Sequence, residues 1–429
     1  MQDDIFAENM KVIAERWPLV AKRLASVGLP AQIVVIEGTP ETTFSVSGIH
    51  LSSCYDRQSE ALLQSSLVPD TARNCWIYGL GLGDLPEALL QREQLRKVSV
   101  VLLNSEISRL SFSSIDHRNW LTDPRLQLLL AENIEGLQAP FAAVPPELQL
   151  AEDGATRLRD QVLLELSTPF IRSKQGAGNA ETQIRLLETR PFVVDDGDVA
   201  TLFGMKSGET VLVAGAGPTL ADQYEWIRQQ SDAFLIAVDT AVKPLLSEGI
   251  CPDVVVAIDP SHHEELALFA GIDSALLAQI PLVYFPRVHP EVLNCWPGPR
   301  LAAYSSESGY QQQAAEIPKG KLYSSGTVFH PAVDLAVRVG AQKIVLLGAD
   351  FSYPNGMSHV PGSAHSKSRI LRPGDPWVLD SFGKKIATAA NLRGFLRDLE
   401  DYITLWPQVQ FVNASRKGAL IQGTSYLEG

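Results

Sequence analysis

Short apolar runs alternate with segments of helical period from about residue 70 onward, and the alternation starts twice. At the first start, Cys75–Tyr78 reads as a short buried strand and Val98–Leu103 as the next, with a helical stretch between them. At the second start, Thr210–Ala214, Ala233–Val238 and Asp253–Ile258 read as strands separated by two helices. Further strands are expected at Pro281–Phe285, near Leu301–Tyr304, at Lys343–Leu347 and at Val409–Val412, with a helix over Thr388–Leu405. Ahead of the first start, the pattern predicts a helix at about 5–26 and hairpin-like strands at Ala31–Val35 and Thr43–Val46. Strands that are apolar throughout, rather than alternating, are covered on both faces, as in parallel sheets.

The fold class is therefore α/β, with two Rossmann-like domains and largely parallel sheets. Residues 155–190 read as helical and are broken by the glycine-rich stretch at 176–180 and the acidic one at 195–198. The expected division is 1–195 and 196–429.

Composition narrows the function classes. The 429 residues carry 36 Lys+Arg against 49 Asp+Glu, a net charge of −13. Nucleic-acid binding and polybasic attachment to a membrane surface both need a basic face, so neither is expected. Cys54, Cys75, Cys251 and Cys295 form no C-x-x-C pair and no zinc-like cluster, and read as reduced thiols. The N-terminal stretch is acidic and amphipathic, unlike a signal peptide, and no apolar run approaches a membrane span. A cytoplasmic protein is the expectation.

In α/β sheets ligands bind past the C-terminal ends of the strands, so the residues just beyond each strand matter most. Gly215 and Gly217 after the first strand of the second half let backbone approach a ligand, and Pro218 and Thr219 open the next helix. A tight strand-to-helix turn with no ligand explains the same residues. Asp239 and Thr240 follow the next strand, where a ribose-binding carboxylate or a simple helix cap would stand. Asp259 follows the third.

Ser324, Ser325, Gly326 and Thr327 precede a helix and read as an anion cradle or as ordinary capping. Asp350, Tyr353 and His359 follow the Lys343–Leu347 strand, and a phenol and an imidazole there suit a departing phosphate. His262, His263 and His289 read as surface or structural residues. The chain has no P-loop, no G-x-S-x-G elbow and no H-E-x-x-H.

In the first half, Gly79-x-Gly81-x-Gly83-Asp84 resembles the nucleotide loop of methyltransferase-like Rossmann folds, with Asp84 as a helix cap. Asn104 stands where such folds place a ribose-gripping acid, with Glu106 two residues on, so the first domain reads as a non-catalytic scaffold.

The segments VLVAGAGPTL (211–220), 237–260, 324–359 and FVNASRKGALIQGT (411–424) together resemble the Maf family of motility-associated flagellin glycosyltransferases, grouped with 6-hydroxymethylpterin diphosphokinase MptE-like proteins. The resemblance implies a second domain similar to bacterial CMP-sialic acid sialyltransferases. It implies transfer of a nonulosonic acid, of pseudaminic or legionaminic type, from a CMP-activated donor to Ser/Thr of flagellin, in the service of flagellar assembly and motility. No metal is obligatory on that reading.

Gly215, Gly217, Pro218 and Thr219 then match the nucleotide turn, and Asp239 falls where the sialyltransferases carry a nucleotide-contacting Asn. Tyr353 and His359 fall on the two phenols that meet the departing phosphate. The family's base, a His before the late helix, has no counterpart in 380–392, which leaves Asp259, His365 and Asp380 as candidates. The alternatives are an ATP-dependent pterin diphosphokinase, with Asp239 and Asp259 beside Mg²⁺, and a non-catalytic flagellin-binding or sugar-nucleotide-binding protein.

Overall fold

A computed structural model describes residues 2–37, 42–134, 136–175, 180–258, 269–306, 309–366, 368 and 376–427. The chain forms two compact units, the first reaching Leu166 and the second beginning at Ser167.

In the first unit, β1 (Ile33–Ile36), β2 (Thr43–Val46) and β3 (Ile49–His50) form an antiparallel meander. Strands β4 (Asn74–Tyr78), β5 (Lys97–Leu102), β6 (Leu126–Leu130) and β7 (Phe141–Ala143) form a sheet in the order β6-β5-β4-β7, with every pairing parallel. Five consecutive buried residues in β5, Val98 to Leu102, show why: both faces of the strand are covered. Ile13, Val20 and Leu24 from the N-terminal helices pack into the same core as Val98, Val100 and Leu128. The single helix expected at 5–26 is two, Gln2–Arg16 and Pro18–Ser26, because Pro18 fits a first helical turn but cannot continue an earlier one.

In the second unit the strands are β8 (Gly197–Asp198), β9 (Thr210–Ala214), β10 (Phe234–Val238), β11 (Val254–Ala257), β12 (Leu282–Tyr284), β13 (Arg300–Ala302), β14 (Tyr304–Ser305), β15 (Lys321–Leu322), β16 (Lys343–Leu347), β17 (Trp377–Leu379), β18 (Lys385–Ala387), β19 (Gln410–Asn413) and β20 (Ser425–Tyr426). Nine of them form one sheet, β20-β19-β16-β9-β10-β11-β12-β13-β8, parallel at every pairing. The chain moves outward from β9 through β10 to β13, then returns to lay β16 on the other side of β9. Val213 therefore faces Ile236 on one side and Leu346 on the other. The helices Phe329–Arg338 and Ala390–Thr404 bury Ala332, Val333, Leu396 and Leu399 in the core of this sheet.

The sequence places the boundary at 195/196, whereas the contacts place it near 166. Helix Ala180–Asp195 packs with the second unit, since Leu186 and Val193 lie in one cluster with Leu282, Tyr284 and Trp296. Asp196, just past it, receives two guanidinium nitrogens of Arg300, at 2.8 and 2.9 Å, and the Tyr284 hydroxyl at 2.9 Å. Among the described residues, no helix is long and apolar enough to cross a membrane.

Candidate functional site

The reversal of strand order at β9 and β16 makes their C-terminal ends a switch point, where open α/β sheets leave a crevice. Two loops meet there. Gly215 N–H donates to Leu347 O at 2.8 Å and Gly217 N–H to Gly348 O at 2.9 Å, so the turn after β9 is laced to the loop after β16. The lacing explains the glycines. A methyl at Gly217 would come within 2.4 Å of both Asp350 Oδ2 and Gly348 O, and one at Gly215 within 2.9 Å of Gly348 O. The turn continues into a 3-10 helix, Pro218–Gln223, rather than directly into the α-helix expected from sequence.

Asp350 is 3% exposed at the centre of this joint. Thr219 donates to it twice, from its N–H at 2.9 Å to Oδ2 and from its hydroxyl at 2.7 Å to Oδ1. Burial pushes the Asp350 carboxyl up to about 6, against the two Thr219 hydrogen bonds that hold it down. The next residue, Phe351, has φ 45°, in the left-handed region that a bulky side chain rarely enters. Its ring meets Phe329 edge-on at 5.9 Å, and Thr388 donates to its carbonyl at 2.6 Å. Strain held by this many contacts marks a loop whose shape is enforced.

Beyond it, Tyr353 N–H donates to Ala387 O at 2.8 Å, and Pro354–Gly356 turns the chain towards His359. Tyr353 and His359 are both partly exposed. His359 Nδ1 lies 3.1 Å from Ser358 Oγ, and its ring stands 5.9 Å from that of His365. The fold thus brings together two imidazoles that the sequence singles out for different reasons. Val360 N–H donates to Ala216 O at 2.9 Å, tying this loop back to the glycine turn.

Asp380 has a different place. It closes the β17–β18 hairpin, with Oδ1 accepting from Phe382 and Lys384 N–H, both at 2.8 Å. That geometry accounts for Asp380 as a turn brace. Asp239 is the first residue of helix Asp239–Ser247, one position inside the cap expected for it, and is buried with Oδ1 accepting from Thr240 N–H at 2.6 Å. It stands past β10, one strand from the glycine turn. Asp259, like His262 and His263, lies outside the described residues.

The Ser324–Thr327 segment leads into helix Phe329–Arg338, whose first residue meets the turn after β9: a methyl at Gly215 would touch the Phe329 ring at 3.0 Å. Ser325 donates to Asp398 at 2.6 Å, and burial raises the Asp398 carboxyl while that bond lowers it. Gly326, at φ +79°, packs on Phe395, and Thr327 Oγ1 accepts from Phe329 N–H at 3.4 Å as a local cap.

Sequence reasoning missed several members of the site. Gln223 accepts from Gly348 N–H at 3.3 Å. The turn after β19 also reaches Asp350, through Ala419 N–H on its carbonyl at 2.8 Å and through Gly418, where a methyl would lie 2.4 Å from Oδ1. The signal for that turn was the Asn413-Ala414-Ser415 motif past the last predicted strand. Nothing local in the sequence pointed to Gln223.

Residues 185–356 match the model of the family described as 6-hydroxymethylpterin diphosphokinase MptE-like. Among curated proteins, none matches the chain. Among solved structures, a Maf glycosyltransferase from Magnetospirillum magneticum AMB-1 aligns over 100% of this chain and 75% of its own, with 17% identity and a TM-score of 0.49. Spermidine synthase from Thermotoga maritima aligns over 28% of this chain and 49% of its own, with 14% identity and a TM-score of 0.22.

Proposed function

We propose that the second unit is a glycosyltransferase that moves a nonulosonic acid from its CMP-activated form to Ser/Thr hydroxyls of flagellin. One observation carries the reading. The glycine turn of 215–217 and the Gly348–Asp350 loop are laced together at the switch point, and the same loop runs on to Tyr353 and His359. On this reading the laced loops form the frame of the donor site, and Tyr353 and His359, further along the second loop, are assigned to the leaving phosphate. The motifs of 211–220, 324–359 and 411–424, which resemble the Maf family, are the segments that meet at Asp350.

On this reading the anomeric carbon loses its bond to the CMP phosphate oxygen, which leaves with the bonding pair. Tyr353 and His359 donate hydrogen bonds to the charge that builds there. The acceptor hydroxyl oxygen forms the new glycosidic bond, and its proton passes to a base. His365, beside His359, is the described candidate for that base; Asp380 is engaged by its hairpin. Asp239 and Thr240 are proposed to meet the nucleoside, and Ser324–Thr327 to flank the donor from the neighbouring helix N-terminus.

Incubating the protein with CMP-activated nonulosonic acid and flagellin, then weighing the flagellin, tests the reading directly. A mass increase of one or more sugar residues is expected, and unmodified flagellin with intact donor overturns it. The description of the matched family favours a second reading, a pterin diphosphokinase using ATP and Mg²⁺. Calorimetric titration with CMP, and separately with ATP–Mg²⁺, separates the two. Binding of ATP–Mg²⁺ without CMP favours the kinase.

A further inference from the structure

The first unit has a switch point of its own. In the order β6-β5-β4-β7, β7 lies on the far side of β4 from β5, so the ligand crevice of such a sheet falls past the ends of β4 and β7. The Gly79–Gly83 loop curls there, with positive φ at Gly79, Gly81 and Gly83.

A side chain of the protein already fills the position. Glu147, on the short helix Pro145–Gln149 after β7, is completely buried. Its Oε2 accepts from the N–H groups of Leu80 and Gly81, both at 2.8 Å. Its Oε1 accepts from the N–H groups of Leu103 at 3.1 Å and Asn104 at 3.2 Å. One carboxylate thus ties the loop after β4, the loop after β5 and the helix after β7. Successive backbone N–H groups converging on one point form an anion nest.

The glycines are accounted for within the chain. A methyl at Gly79 would lie 3.0 Å from Glu147 Cβ, one at Gly81 3.0 Å from Val144, and one at Gly83 2.5 Å from the His117 ring. Asp84, expected as a helix cap, instead pairs with Arg57 at 2.7 and 3.1 Å, and the left-handed Gly83 caps the helix. Asn104 spends its side-chain oxygen on the N–H groups of Glu106 and Ile107, at 3.0 and 3.1 Å.

We propose that Glu147 is a built-in carboxylate ligand: the first unit is a nucleotide-type α/β fold whose anion nest is filled by its own chain. It takes no nucleotide or S-adenosyl ligand at the glycine loop. With the side chain cut back, the emptied nest accepts small carboxylates. Burial pushes the Glu147 carboxyl up to about 7 while the four N–H donors oppose the shift. Losing that acceptor strands four buried donors, the costly side of the hydrogen-bond balance.

Thermal unfolding of the full chain and of Glu147→Ala, in acetate against chloride at matched ionic strength, tests the proposal. The variant is expected to melt roughly 5–10 °C lower. Acetate should raise its Tm saturably and leave the wild type where chloride leaves it. An equal acetate response in both proteins, or none in a folded Glu147→Ala, overturns the proposal. A second measurement decides if that variant does not fold: calorimetric titration of the wild type and Glu147→Gln with S-adenosylhomocysteine and with NAD. No saturable heat is expected from the wild type, and binding that Gly81→Val abolishes overturns the proposal.

Discussion

Thr219 grips Asp350 with both its N–H and its hydroxyl, across 131 residues of sequence and between the loops that follow two adjacent strands. The pair ties the two loops together at the switch point, and the proposed donor site rests on the loop shape it holds. Thr219→Val keeps the volume and removes the hydroxyl donor. A buried carboxylate that loses one of two hydrogen bonds should cost about 1–3 kcal/mol, read from urea unfolding, and Thr219→Ser should recover most of it.

Gly217→Ala should be worse. Its new methyl meets Asp350 Oδ2 and Gly348 O at 2.4 Å, and the latter is backbone held by the sheet. A loss of about 2 kcal/mol or more and abolished CMP binding are expected. Gly154→Ala, where nothing lies within 4 Å, is the control and should leave both unchanged.

Asp350 also sets a pH dependence. Its folded carboxyl, pushed up to about 6, lies above the unfolded value of 3.8. The protonated form is therefore favoured by folding. Its contribution is complete below about pH 4 and is lost as the pH rises through about 6. The gap corresponds to roughly 3 kcal/mol at most. Unfolding free energy measured from pH 4 to 7 should fall more steeply in the wild type than in Asp350→Asn. Parallel curves would remove Asp350 as the cause.

Phe351 offers a test of stored strain. At φ 45° a glycine is at ease and an alanine is not. Both Phe351→Gly and Phe351→Ala lose the contact with Phe329, so their difference reports the backbone alone. Phe351→Gly should be the more stable of the two by about 1 kcal/mol, the reverse of the order seen at ordinary positions.

Turnover tests the leaving-group assignment. Tyr353→Phe and His359→Ala should each lower kcat by roughly 10²-fold and change donor affinity little, because their bonds strengthen only as charge builds on the phosphate. Equal losses in both would reduce the two residues to ground-state binding.

Much of the architecture was legible beforehand because parallel strands carry their own signature. Val254–Ala257 and Lys343–Leu347 are nearly continuous apolar runs, and only a strand covered on both faces needs that. The glycines of 79–83 and 215–217 could be found, but their reason could not. Both loops read as nucleotide turns, yet one packs around Glu147 and the other around Asp350.

The sequence by itself determined the alternation of strands and helices, the two starts, and which residues stand just past each strand, because these follow from local periodicity and turn chemistry. The order of strands around β9 was decided only by tertiary structure. So was the meeting of Thr219 with Asp350 and of His359 with His365, and the filling of the first nest by Glu147. Thr219 and Asp350 lie 131 residues apart and Glu147 lies 66 from Gly81, whereas the two histidines are close in sequence and meet through the turn of their own loop. A buried carboxylate is indistinguishable in sequence from an exposed one; what separates them is whether folding delivers enough N–H and O–H donors to replace the water it loses.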